Sequence, residues 1–335
     1  MGSIFNAANT VGSLSQANII DYDRKFVKNL KGRTPFVNCT DIRYQAQHSG
    51  INHALFMYQP LGGNTVQQQD GVVGSPISIT VDTNSLTLGE FGDFTTFSAF
   101  ALAAALDSPM ASSAKEMAYR AAQSLNTLVR NVADSLNSID GTVDDNITSG
   151  AALQMSDVVS NQQSLVGRGV QPFKAGRFCG AIHPFVWGDL RNGTTVNNSV
   201  VDILKYTEEG HRKLDELSAA DQDHAIELPG TGIEFYQSPF VTQVPNLHST
   251  STGLSTYIFG EEAIVSVFLK VPGDTNVENG DWRRINCYTS AFNPTAFDPE
   301  GTIGGAVSYR FHYAATPPPD TVMRARVIAS VSAVS

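Results

Sequence analysis

The 335-residue chain predicts an α+β fold in which one long helix acts as a beam for β-structure. Three observations predict it. From Pro109 to Ile139 the apolar residues Met110, Ala114, Met117, Ala121, Leu125, Leu128, Val132, Leu136 and Ile139 recur at steps of three and four. That spacing puts one apolar stripe on a helix of 3.6-residue period. Before it lies a long charge-poor region with strand-like alternation. At the C-terminal end Val307, Tyr309, Phe311 and Tyr313 alternate with Ser308, Arg310 and His312, the period of a half-buried strand.

The helix is expected over residues 108–139, with Ser108 as N-cap, Pro109 in the first turn and Gly141 just past the end. It would be roughly 46 Å long. Its expected core residues are Met117, Ala121, Leu125, Leu128, Val132 and Leu136.

Residues 1–45 read as an arm with too little apolar content for its own core. Arg24, Lys25, Lys28, Lys31, Arg33 and Arg43 cluster there against Asp21, Asp23 and Asp41. Such an arm pairs with acidic neighbours of the same assembly or touches nucleic acid. Residues 46–97 follow as a two-stranded ribbon. HALFMYQ forms one strand; Ile77, Ile79, Val81, Leu86 and Leu88 mark the return. Between them lies LGGNTVQQQDGVVGSP, and no Lys or Arg occurs between Tyr44 and Ala114. An isolated ribbon is marginal in water, and one without lysines on its edges invites pairing. It is therefore covered by a neighbouring subunit, or else folded onto its own core.

Beyond the beam, Met155–Leu165 suits a second helix. Arg177–His183 reads as a buried strand stopped by Pro184, and Phe185–Arg191 as a helical turn. IEFYQSPFV reads as a strand, and TYIFGEEAIVSVFL as strand, turn and strand. After Tyr313, ATPPPD turns the chain and Val322–Ala329 returns beside it as a terminal pair.

Charged residues make up 16% of the chain, against ~25% in ordinary soluble proteins, which suggests that much surface meets other chains. The net charge of −10 argues against a dedicated nucleic-acid binder. Cys39, Cys179 and Cys287 have no metal spacing, and their odd number suggests no disulfide framework, so reduced intracellular thiols are expected. No secretion signal and no membrane-spanning run is expected. The Walker loop, G-x-G-x-x-G, H-E-x-x-H, C-x-x-C and G-x-S-x-G patterns do not occur. No catalytic, cofactor-binding or metal-binding set is expected, and no cofactor.

Four stretches, in order, carry a family resemblance: GRFCGAIHPFVWGDLRNG, IELPGTGIEFYQSPFV, STYIFGEEAIVSVFL and GGAVSYRFHYAA. With the arm, ribbon and beam before them, they resemble the major capsid protein of tailed double-stranded DNA phages, the Hong Kong 97-type fold, over residues 25–330. The resemblance implies an N-terminal arm (1–45), an extended loop or β-ribbon (46–97), a peripheral domain (98–177 and 306–335) containing the spine helix, and an axial domain (178–305). It implies a structural protein, not an enzyme, that self-assembles into hexamers and pentamers of an icosahedral virion shell. That shell would enclose double-stranded DNA without sequence-specific binding and without a membrane. Implied partners are further copies of the chain, a portal, a separate scaffolding protein and a decoration protein, with assembly in the host cytoplasm. Contacts between subunits are expected at Val66, Gln68, Asp70 and Val72 of the ribbon and Arg24, Lys28 and Arg33 of the arm. The ribbon has no lysine, so covalent Lys–Asn crosslinking there is not expected. An encapsulin-like bacterial shell, an α+β enzyme and a secreted β-rich adhesin are the alternatives.

Overall fold

The computed structural model describes residues 34–46, 48–58, 77–105, 109–135, 145–146, 153–173, 176–192, 226–228, 231–244, 253–269, 286–291, 303–317 and 324–330. The beam is helix α3, Pro109–Asp134, preceded by a one-turn helix α1 (Pro35–Asn38) and a short helix α2 (Ala99–Ala104). At 26 residues α3 is about 39 Å long. Ser108 and residues 136–139 of the expected helix lie outside the described residues.

The buried face of α3 is centred slightly off the predicted stripe. Ala114, Ala118, Ala121, Ala122, Leu125, Val129 and Ala133 are fully enclosed and Met117 nearly so, whereas Met110, Leu128 and Val132 pack at its flanks. Small residues explain the shift, because a row of alanines lets a sheet approach the helix axis closely. Asn126, also buried, accepts a hydrogen bond from Phe36 N–H at 3.3 Å and so fixes α1 against the beam. At the helix end, Asp134 accepts bonds from Tyr257 Oη at 2.6 Å and from Thr242 Oγ1. These bonds tie the beam to the second sheet described below and offset the cost of a carboxylate at a helix C-terminus.

Two sheets share the core with α3. The first is built on β13, Ile303–Thr316. One edge of β13 pairs antiparallel with β4 (Gly89–Ser98). Its other edge takes β12 (Asn286–Ala291) and then β11 (Val265–Leu269), to which β1 (Asp41–Gln45) adds a parallel outer strand. Val307, Tyr309, Phe311 and Tyr313 point into the core beneath α3, as their alternation predicts. Two of these rings pack on neighbours: Phe91 stacks on Phe311 at 5.5 Å, and Phe268 lies tilted against Tyr313 at 4.9 Å. Tyr313 Oη meets Ser266 Oγ at 2.8 Å inside the core, and burial pushes the phenol well above its usual pKa.

The second sheet runs β5 (Asp145–Asn146), β14 (Arg324–Ser330), β10 (Gly253–Phe259), β6 (Phe178–Ile182), β8 (Ile233–Gln237) and β7 (Ile226–Leu228), with β9 (Gln243–Val244) beside one end of β10. Both β6 and β10 are buried throughout, which accounts for the apolar run of β6, whereas β10 buries Ser255 and Thr256 among its apolar residues. Two helices accompany this part of the chain: α4, Met155–Gly167, and α5, Pro184–Asn192.

The terminal hairpin expected from β13 and β14 does not form. Both edges of β13 are already occupied, and β14 pairs instead with β10 from Gly253↔Ser330 to Phe259↔Arg324. The strands before and after Gly260 likewise part, β10 to the second sheet and β11 to the first. Residues 34–45, expected as arm, belong to the body: Phe36 and Val37 are fully buried, and β1 pairs with β11. The expectation of reduced cysteines also fails for two of the three. Cys39 and Cys179, buried and 5.4 Å apart between Cα atoms, form a disulfide across 140 residues of sequence. Tertiary folding brings together positions that no sequence spacing marks.

Two expected results follow from local packing. A Cβ on Gly180 of β6 would lie 2.5 Å from the Phe235 ring and 2.9 Å from the Tyr257 carbonyl oxygen. Gly180→Ala is therefore expected to cost about 1–3 kcal/mol by overpacking, read as a fall in the thermal unfolding midpoint. His183 caps α5: its Nδ1 accepts from Phe185 N–H at 3.2 Å. Burial holds its imidazole below the usual pKa of 6.5. The unfolded chain takes up this proton first, so stability is full above the unfolded pKa and falls as pH drops below it toward the depressed folded value. His183→Asn keeps an acceptor for the cap and is expected to flatten the fall in unfolding temperature between about pH 7 and 5.

Candidate assembly surface

The ribbon is an antiparallel pair, β2 (Asn52–Tyr58) and β3 (Val81–Thr87), in register from Asn52↔Thr87 to Tyr58↔Val81. The register sorts its side chains. One face carries His53, Leu55, Asp82, Asn84 and Leu86; the other carries Asn52, Ala54, Phe56, Tyr58, Val81, Thr83, Ser85 and Thr87. The first face is anchored. Leu55 and Leu86, with Leu88 beyond the strand, pack on Val265, Val267, Leu269 and Ala314. Asn84 Nδ2 donates to Thr316 Oγ1 at 3.2 Å and to the Pro317 carbonyl at 3.0 Å. At the turn entering the ribbon, Gln45 Nε2 donates to the Gly50 carbonyl at 2.7 Å, and Leu88 N–H to the Ile51 carbonyl at 2.9 Å. Gly50 sits there at φ +84°, a backbone region open to glycine.

The second face is bare and bears no charge. Phe56 is 64% exposed and Tyr58 66%; Val81 and, further along, Ile79 and Ile77 are also exposed. The run HALFMYQ therefore splits by register into an anchoring residue, Leu55, and two presented aromatics, Phe56 and Tyr58. Sequence reasoning missed these two because a consecutive apolar run does not declare its faces.

The ribbon root covers only part of the first sheet. Val267 and Ala314 lie on the side away from α3, and the same side continues along β13 and β4 as Ser308, Arg310 and His312 beside Glu90, Gly92 and Phe94. This continuation is open. It forms a shallow recess of about 720 Å³ lined by Glu90, Gly92, Asp93, Phe94, Ser308, Tyr309 and Arg310. Phe94 is 69% exposed and Phe100 of α2 82%. Arg310 Nε pairs with Glu90 at 2.8 Å at the rim, and Asp93 takes Arg120 of α3 at 2.7 Å.

Of the contact residues expected from sequence, Val66, Gln68, Asp70, Val72, Arg24, Lys28 and Arg33 lie outside the described residues. Of the expected spine-helix core, Met117, Ala121 and Leu125 are buried, Leu128 and Val132 are half-buried, and Leu136 lies outside the described residues. Among the described residues no three His, Cys, Asp or Glu side chains gather as a metal site, and no helix is long and apolar enough to cross a membrane.

No family model and no curated protein matches the sequence. Solved structures do match by shape. The chain is similar to the capsid of Ralstonia phage GP4 with a TM-score of 0.66 and 10% identity, over 90% of this chain and 93% of that one. This is the tailed-phage major capsid protein fold. The Cyanophage Pam1 capsid matches with a TM-score of 0.60 at 10% identity over 90% and 93% of the two chains, and the Cyanophage P-SCSP1u capsid with 0.59 at 12% over 89% of each. At such low identity it is the architecture that is shared, a mixed α+β capsid-protein body.

Proposed function

We infer that the chain is a structural major capsid protein that assembles with copies of itself into hexamers and pentamers of an icosahedral virion shell around double-stranded DNA. The observation that carries this reading is the ribbon: one face rooted in the body, the other uncharged and set with exposed Phe56, Tyr58 and Val81. A contiguous apolar surface of this kind marks an interaction site. Its charge-free composition suits burial against a second copy, since no ion has to be desolvated on that face. The fold shared with phage capsids supports the same reading.

In this reading residues 98–177 and 306–335, with α3, form the peripheral unit, and residues 178–305, with β6 and β10, the axial unit. Residues 1–33 reach a neighbour through the Arg24, Lys28 and Arg33 region, and Val66, Gln68, Asp70 and Val72 lie in the neighbour's contact with the ribbon. Its further partners in this reading are a portal, a separate scaffolding protein used in assembly and a decoration protein, and the shell assembles in the host cytoplasm. Net charge −10 keeps packaged DNA mobile by repulsion. The chain acts by contact rather than catalysis.

Sedimentation velocity tests the reading. The wild-type chain is expected to form capsomer-sized rings or closed shells, and Phe56→Asp with Tyr58→Asp to leave a folded monomer. Unchanged assembly in that variant overturns the role of the ribbon's bare face.

A further inference from the structure

Residues 34–45 join the body as a buried single-turn helix and a half-buried outer strand, and the disulfide ties them covalently to it. Helix α1 is a single turn, fixed by burial of Phe36 and Val37 and by the Asn126 bond. Strand β1 is the outer strand of its sheet, with five parallel pairs to β11 alone among the described strands. Its Arg43 meets Glu262 across a partly exposed pair. Segments with fewer buried contacts open before the rest of a fold, and β1 is only half-buried over most of its length. Yet β1 leads straight into the ribbon, and Gln45 holds that turn through the Gly50 carbonyl. Cys39 stands between α1 and β1, and Cys179 in the fully buried β6 of the other sheet. The bond thus ties a segment that ends on a half-buried outer strand to one of the best-buried strands. Cys39 is 1% and Cys179 4% exposed, so a dissolved thiol reaches the sulfurs only when the segment opens.

We propose that Cys39–Cys179 is a redox-controlled staple. When oxidised, the chain keeps residues 34–45, and with them the entry to the ribbon, fixed in the body. When reduced, the same residues open locally while the rest of the fold stands. Closing the staple takes a small-molecule disulfide, RSSR, such as oxidised glutathione. One cysteine thiolate attacks it and releases RS⁻; the second thiolate then displaces the second RS⁻ from the mixed disulfide. The two cysteines lose two electrons and two protons in all, and RSSR leaves as two thiols. The staple is a property of the single chain and does not depend on shell assembly.

Hydrogen exchange read by mass spectrometry tests it on the full chain as purified, after treatment with tris(2-carboxyethyl)phosphine, and as Cys39→Ala/Cys179→Ala. The amides of residues 41–45 are expected to exchange at least about tenfold faster in the reduced chain and the double variant. Amides of α3 between residues 117 and 129 are expected to keep their rates. Alkylation of the denatured, unreduced chain is expected to find one free thiol, Cys287. Three free thiols, unchanged exchange at 41–45, or equal acceleration across both sheets overturns the proposal. If the double variant fails to fold, the reductant-treated chain decides, and its complete unfolding also overturns a local staple.

Discussion

Leu125→Asp is expected to remove the folded chain from the soluble fraction. Leu125 is fully enclosed at the middle of α3, in the core that the beam shares with the sheets. The substitution forfeits roughly 2–3 kcal/mol of apolar burial. It also places a carboxylate, or a protonated acid without partners, where no water reaches, at several kcal/mol more. Domains are stable by only about 5–15 kcal/mol, so the sum is comparable to the whole margin. Gln123→Asp, two residues away on the exposed face, is the control, with an expected change within about 0.5 kcal/mol. Circular dichroism melts of soluble material, with the soluble fraction itself, read the difference. A soluble Leu125→Asp chain with an unchanged melt contradicts the burial.

Deleting Val66–Ser75 is expected to abolish assembly and spare the fold. Folding depends on the ribbon's root, and Leu55, Leu86 and Leu88 keep their contacts with Val265 and Val267 in the deletion. What the deletion removes is ten residues of the connection between β2 and β3, the stretch expected from the sequence to meet a neighbouring copy. Melting is expected to be unchanged, because shortening a surface loop alters closure entropy by only about 0.6 kcal/mol per halving. Assembly, read by sedimentation, is expected to be lost. Leu55→Asp gives the opposite pattern, a destabilised body through loss of the root. Loss of folding in the deletion variant contradicts the division of the ribbon into a root and a contact stretch.

Periodicity made the beam and β13 legible in the sequence, since a repeat of 3.6 or 2 reports directly which side chains share a face. It misplaced the centre of the helix face by about one position, because alanine looks neutral in a pattern yet marks close packing. Pairing was not legible. The alternation of β14 says that it is a strand and nothing of its partner, and the prolines after Pro317 suggested a hairpin that the filled edges of β13 forbid. The basic residues at positions 24–33 drew residues 34–45 into the arm, although Pro35, Phe36 and Val37 are a small apolar nucleus that the body encloses. The disulfide left no trace at all, because two cysteines 140 residues apart are brought together only by the tertiary fold. The candidate surface was half legible: the two strands of the ribbon could be read from the sequence, but which aromatics it presents depends on register.

Electron microscopy of particles purified from producing cells, with the wall polypeptide identified by mass spectrometry, tests the central claim most directly. The expected result is a closed icosahedral shell with this chain as its most abundant polypeptide, and a wall into which the body fits with each ribbon lying on an adjacent copy. A wall made of another protein, with this chain recovered as a free monomer from the same cells, contradicts it.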